Sequence, residues 1–172
     1  MVYNNILEDP TLKNKVFEFE RGKIPIIEFY DLAADLDDWE KADFWSIVRG
    51  VDPVISNAIQ LLRENDIKVG LFCNNGYLTR KFERSCVPDD LSMFDAVVES
   101  CRIGYRKSDP ESYHIAAKTI GFELDECVLI DDSELNVKGA IREGMHGIHQ
   151  KGEDSVEAIK QLEKLTGLSL QG

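Results

Sequence analysis

The sequence predicts an α/β domain built on a doubly wound parallel sheet in three layers, preceded by a helical segment. Three observations carry that prediction. From Asp52 onward, short apolar runs alternate with amphipathic stretches; each run stops in polar residues; and glycines close the amphipathic stretches. Strands that alternate with helices must be joined by crossovers, which makes the sheet parallel and puts helices on both faces.

The first fifty residues show no strand period. Thr11 to Arg21 reads as a helix that ends at Gly22, a residue that enters the left-handed region freely. Pro25 opens a second helix at a position where the first turn tolerates proline, and Ile26, Phe29, Leu32, Ala33 and Leu36 follow on one face. Trp39 to Val48 forms a third, stopped by Gly50. The expected boundary divides a helical segment, 1–50, from a core, 51–172.

In the core, Asp52 is an N-cap with Pro53 behind it, and the helix runs through Glu64. Ile67 to Cys73 is a buried strand that ends at Asn74-Asn75-Gly76. A helix over Leu78–Ser85 and a strand over Ala96–Val98 come next. Ser108 and Glu111 have the spacing of a capping box, opening a helix to Ile120 that Gly121 ends. Cys127 to Asp131 is the third strand, followed by a helix over Glu134–Glu143 and Gly144. Gly147–His149 makes a last strand and Ser155–Leu165 a terminal amphipathic helix.

The chain has 172 residues with 32 Asp and Glu against 20 Lys and Arg, a formal charge of −12. That length suits one domain, and 43% hydrophobic residues suit a packed core. The acidic excess excludes nucleic acid and anionic membrane surfaces as partners, because both are bound through Lys and Arg. No apolar run approaches the roughly 20 residues that span a bilayer. The opening Met-Val-Tyr-Asn-Asn-Ile has neither the basic nor the apolar region of a secretory signal. Cys73, Cys86, Cys101 and Cys127 lack zinc-like spacing and read as reduced thiols, so the expected location is cytoplasmic.

In doubly wound sheets ligands sit beyond the carboxyl ends of the strands, here at Asn74 and at Asp131-Asp132. Two adjacent carboxylates after an apolar strand repel each other and favour a hard cation such as magnesium. They also suit a helix N-terminus with no metal at all, through the helix dipole. Lys107, just ahead of a helix, could hold an anion or pair with those acids; an ordinary surface lysine is the plainer reading.

The stretches Val98–Tyr113, Val128–Val137 and Ala140–Met145, with Lys107 about two dozen residues before Asp131-Asp132-Ser-Glu-Leu-Asn136, resemble the haloacid dehalogenase-like hydrolases. Among these the chain is most similar to the N-terminal phosphatase domain of soluble epoxide hydrolases. The resemblance covers nearly the whole sequence, and the segment before Val48 looks like that subgroup's small helical cap. It implies magnesium-dependent phosphoryl transfer through an aspartyl phosphate. Lys107 would steady nucleophile and phosphate, Asp131 and Asp132 would position magnesium, and Asn136 would stand behind them. Cys73 and Asn74 fall where the family offers Ser or Thr, then often Asn, to the phosphate.

The chain departs from that pattern in its first motif. The family carries its nucleophile on an opening strand that ends in Asp-x-Asp, ahead of the cap, and no such strand precedes the cap here. Asp35-Leu-Asp37 has the spacing but follows residues with helical period; Asp31 and Asp38 fit no better. A cysteine at position 73 is a weak hydrogen-bond partner for a phosphoryl oxygen and reads either as a small buried apolar side chain or as a thiolate. Ser108 replaces the proline usual after the lysine, a change expected to be without consequence. The missing strand would be the central one, between those ending at Asn74 and Asp131. Its place is expected to close up or be filled by a partner chain, since residues 1–7 are too polar and short to fill it.

Three functional expectations follow. The first is a catalytically inactive family member that binds or regulates, or is a remnant, with a small phosphorylated ligand and with magnesium weak or absent. The second is a truncated piece of an active magnesium-dependent phosphatase whose first strand lies upstream. The third is a hydrolase with an unusual nucleophile, Cys73 or an aspartate of the cap-like segment such as Asp35.

Overall fold

The computed structural model of the chain describes residues 10–26, 28, 52–152 and 155–171. The expected helices beyond Glu28 and before Asp52, and the acids Asp31, Asp35, Asp37 and Asp38, lie outside these residues. The elements in chain order are α1 (Pro10–Glu20), α2 (Pro53–Glu64), β1 (Gly70–Cys73), β2 (Ala96–Glu99), α3 (Ser100–Ile103), α4 (Pro110–Ile120), a 3-10 turn (Leu124–Glu126), β3 (Val128–Asp131), α5 (Glu134–Glu143), β4 (His146–His149) and α6 (Ser155–Thr166). Among the described residues the strands form two pairs, β1 with β2 and β3 with β4. No helix among them is long and apolar enough to cross a membrane.

The chain divides into two compact units. The larger contains residues 50–72, 90–98 and 107–172. Its β3 and β4 run parallel, with Leu129 opposite Gly147 and Ile130 opposite Ile148. Side chains along a strand alternate between faces, and the packing follows that rule. Val128, Ile130 and Ile148 join Ala58 and Leu62 of α2 and Ala158, Ile159 and Leu162 of α6 in one core. Leu129, on the other face, packs with Tyr113 and Ala117 of α4, Ala140 of α5 and Met145. Helices therefore cover both faces of this strand pair, the three-layer arrangement the sequence predicts. Both α4 and α5 stop where expected, on Gly121 and Gly144 at φ +92° and +107°.

Asp52 is the N-cap of α2, accepting from the Val54 N–H at 2.8 Å and from the Ser155 hydroxyl at 2.5 Å. The bond from Ser155 is the main reason its carboxyl lies below the ordinary value. A lowered carboxyl contributes stability above the unfolded-state pKa and loses it as acid protonates the folded form. Asp52→Ala is expected to cost about 0.5–2 kcal/mol, as cap removals do. Urea unfolding should show that loss at neutral pH and a smaller one below the carboxylate range.

The smaller unit contains, of the described residues, 10–26, 28, 73–89 and 99–106. Here Val16 is buried against Leu12 and Phe17. The buried Glu20 pairs with Arg106 at 2.5 Å, and the same guanidinium lies 4.1 Å over the Phe17 ring. Two expectations fail in detail. Residues 78–85 are not a helix: Tyr77 and Ser85 form an antiparallel bridge, the Leu78 N–H donates to the Arg84 carbonyl, and Phe82 sits at φ +57°. Nor do Ser108 and Glu111 form a capping box, since the N-cap of α4 is Asp109.

Candidate functional site

The site in the larger unit is built on the end of β3. Apolar side chains drive Val128–Ile130 into the core and bring Asp131 with them, leaving it 7% exposed. A buried carboxylate must be neutralised and hydrogen-bonded, and Asp131 is both. Its Oδ2 accepts from Lys107 Nζ at 2.5 Å. Its Oδ1 accepts from the Ser133 N–H at 2.8 Å and from Asn136 Nδ2 at 2.9 Å. The turn into α5 supplies both of these donors, which explains the five-residue spacing from Asp131 to Asn136.

Lys107 is 9% exposed and has a second acceptor, the Phe72 carbonyl at 2.9 Å. Its ammonium also lies 5.3 Å from the centre of the Phe72 ring, within reach of a cation–π attraction. Phe72 meets Tyr113 edge to face at 6.0 Å.

Tyr113 ties the remaining pieces together. It is fully buried; its hydroxyl accepts from the Ser108 N–H at 3.0 Å and donates to the Asn136 carbonyl at 2.8 Å. Burial is the chief reason its phenol is pushed above the ordinary value, so it stays a neutral donor. The α5 backbone comes close enough that a Cβ on Gly139 would lie 2.4 Å from that hydroxyl. Sequence reasoning missed this role. Only the helical placement of Tyr113, one turn into α4, hinted that it faces inward.

Ser108 has φ +92°, beyond what proline can adopt. A serine at this position suits a backbone that proline would forbid. Asp132 is exposed, and its carbonyl lies 3.1 Å from His149 Nε2. Of the residues predicted for chemistry, the structure brings together Lys107, Asp131 and Asn136 and leaves the Asp132 side chain at the surface.

Cys73 and Asn74 belong to the smaller unit, both half-buried. The residue after them, Asn75, is buried and held on every side. Its N–H donates to Ser100 Oγ at 2.9 Å, its carbonyl accepts from the same hydroxyl at 3.1 Å, and its Nδ2 donates to Glu99 Oε2 at 2.7 Å. Cys101 Sγ meets its Oδ1 at 3.2 Å. Burial pushes the Glu99 carboxyl up, but bonds from Ser85, Asn75 and Arg102 outweigh it and hold the group below its ordinary value. Burial and the Glu99 charge push the Cys101 thiol up to about 12, so it is no nucleophile at neutral pH.

Asp131 does not fit magnesium as it stands, while the Asp132 carboxylate is exposed. Both Asp131 oxygens are engaged by three donors, one a cation, and among the described residues no group of three or more His, Cys, Asp or Glu is arranged to hold a metal.

A family model described as haloacid dehalogenase-like hydrolase matches residues 15–144. The chain belongs to that family. It is 33% identical over 118 residues to Acyl-CoA dehydrogenase family member 10 of Mus musculus and 38% identical over 77 residues to Bifunctional epoxide hydrolase 2 of Sus scrofa. These matches take in 69% and 45% of the chain, which spans 11% and 14% of those two proteins. Phosphatase MT3486 of Mycobacterium tuberculosis is 30% identical over 160 residues, 86% of the chain and 72% of the phosphatase. Among solved structures, a HAD-like family hydrolase from Porphyromonas gingivalis superposes with TM-score 0.62 at 24% identity, over 84% of the chain and 76% of its own. A HAD family enzyme from Bacteroides thetaiotaomicron, solved with magnesium and inorganic phosphate, gives 0.55 at 21%, over 80% and 75%. The resemblance to epoxide hydrolases and the α/β fold of this family are both upheld.

Proposed function

We propose that these 172 residues form a haloacid dehalogenase-like domain that binds a small phosphorylated ligand without hydrolysing it. The observation that carries this reading is the pair of acceptors on Lys107. The resemblance implies a lysine that steadies nucleophile and phosphate, and the Lys107 ammonium is held at the end of β3 by the Phe72 carbonyl and the Asp131 carboxylate. The sequence supports the reading, since a cysteine stands where the family offers a hydroxyl. The chemistry needs attacking atom, lysine and metal positioned together, and loss of a nucleophile from such a cooperative set can cost a factor of about 10⁶ in turnover. Four cysteines without zinc-like spacing suit a reducing compartment, the cytoplasm.

With an aryl phosphate and magnesium, the purified chain should show no hydrolysis above the buffer rate. Robust turnover that disappears on Cys73→Ala or Asp35→Asn would overturn the inactive reading and install the unusual nucleophile.

A second reading has its own support. Lys107, Asp131, Asp132 and Asn136 are all present, and the mycobacterial phosphatase aligns over most of its length. A strand ending in Asp-x-Asp, encoded in frame upstream and restoring magnesium-dependent turnover when joined to the chain, would establish a piece of an active phosphatase.

A further inference from the structure

The geometry points to Lys107 as the resident cation of this site, holding the place at Asp131 that a divalent metal would take. The inference concerns the ligand site just proposed and rests on that reading only for its phosphate arm. A buried carboxylate requires a compensating positive charge, from a side chain or from a metal. Asp131 has found its own. Lys107 Nζ lies 2.5 Å from Oδ2, and the two neutral donors, Ser133 N–H and Asn136 Nδ2, take Oδ1 at 2.8 and 2.9 Å. Magnesium asks for oxygen ligands at about 2.0–2.1 Å in near-octahedral array. To bind Oδ2 it would have to displace the ammonium or sit beside a like charge.

The ammonium is anchored independently of the carboxylate. It bonds the Phe72 carbonyl at 2.9 Å and stands over the Phe72 ring, which Tyr113 supports from its edge. Its position is thus fixed by β1 as well as by β3. Removing the ammonium would leave Asp131 as a carboxylate in need of a cation, with Asp132 next to it.

The test measures magnesium directly, by titration calorimetry and by thermal melting in millimolar magnesium or in chelator. The wild-type chain is expected to melt at the same temperature in both. Lys107→Met should melt lower in chelator, recover in magnesium, and bind magnesium at least roughly tenfold more tightly than wild type. The double variant Lys107→Met/Asp131→Asn should melt above the single one in chelator and ignore magnesium. If Lys107→Met folds only when magnesium is present, the assignment is equally supported. Saturable stabilisation of the wild type by magnesium, abolished by Asp131→Asn, would overturn it, and so would a Lys107→Met chain that folds and binds magnesium no better than wild type. Inorganic phosphate, titrated into wild type in chelator, separates the two ideas. Binding there supports a metal-free phosphate site, whereas no binding with or without magnesium defeats the proposed ligand but not the cation assignment.

Discussion

Replacing Asp131 by alanine is expected to lower the unfolding free energy by about 3–5 kcal/mol, the usual cost of breaking a buried ion pair from one side. The loss has two parts. Lys107, 9% exposed, keeps the Phe72 carbonyl but loses the Asp131 carboxylate. The Ser133 N–H and Asn136 Nδ2 lose their acceptor in the same step. Asp131→Asn should cost less, because a carbonyl oxygen remains at one of the two positions. Urea unfolding at neutral pH measures both variants. A loss under about 1 kcal/mol for alanine would put the pair in the class of solvent-screened surface bridges and remove the basis for treating it as a closed electrostatic unit.

Ser108→Pro is expected to destabilise the chain by about 3 kcal/mol or more. Proline holds φ near −65°, while Ser108 has +92°, and proline has no N–H for the Tyr113 hydroxyl. Ser108→Gly provides the control: it relieves the cost of a side chain at positive φ, keeps the N–H, and should leave stability within about 1 kcal/mol of wild type. Thermal melting of the pair decides the matter. A proline variant as stable as wild type would mean that the Lys107–Asp109 backbone can adopt an ordinary conformation without loss.

Much of the larger unit was legible because local and global signals agree there. Cys127–Ile130 has the composition of a buried strand and becomes one over Val128–Asp131; Gly121 and Gly144 end helices where only a residue tolerant of positive φ ends them well. Leu78–Ser85 was misread because its spacing permits a helix, yet the bridge between Tyr77 and Ser85 and the edge contact of Tyr77 with Phe82 fold it back on itself. No pattern within eight residues reports such pairings. The site divides along the same line. Lys107, Asp131 and Asn136 were visible because their spacing belongs to a motif. The partners of Asn75 lie 24–26 residues away in sequence, and Tyr113 reaches the Asn136 main chain across 23. Those contacts exist only once the sheet and its helices have assembled.

The two bonds of the Tyr113 hydroxyl have a consequence for how the site opens. One fixes the backbone beside Lys107 and the other the residue that grips Asp131 from α5. Opening α4 withdraws the phenol from both at once, which couples the two arms around the carboxylate. In the language of native-state fluctuations they form one cooperative unit. A molecule that braces Lys107 is therefore expected to slow hydrogen exchange in α5 as well, without touching it.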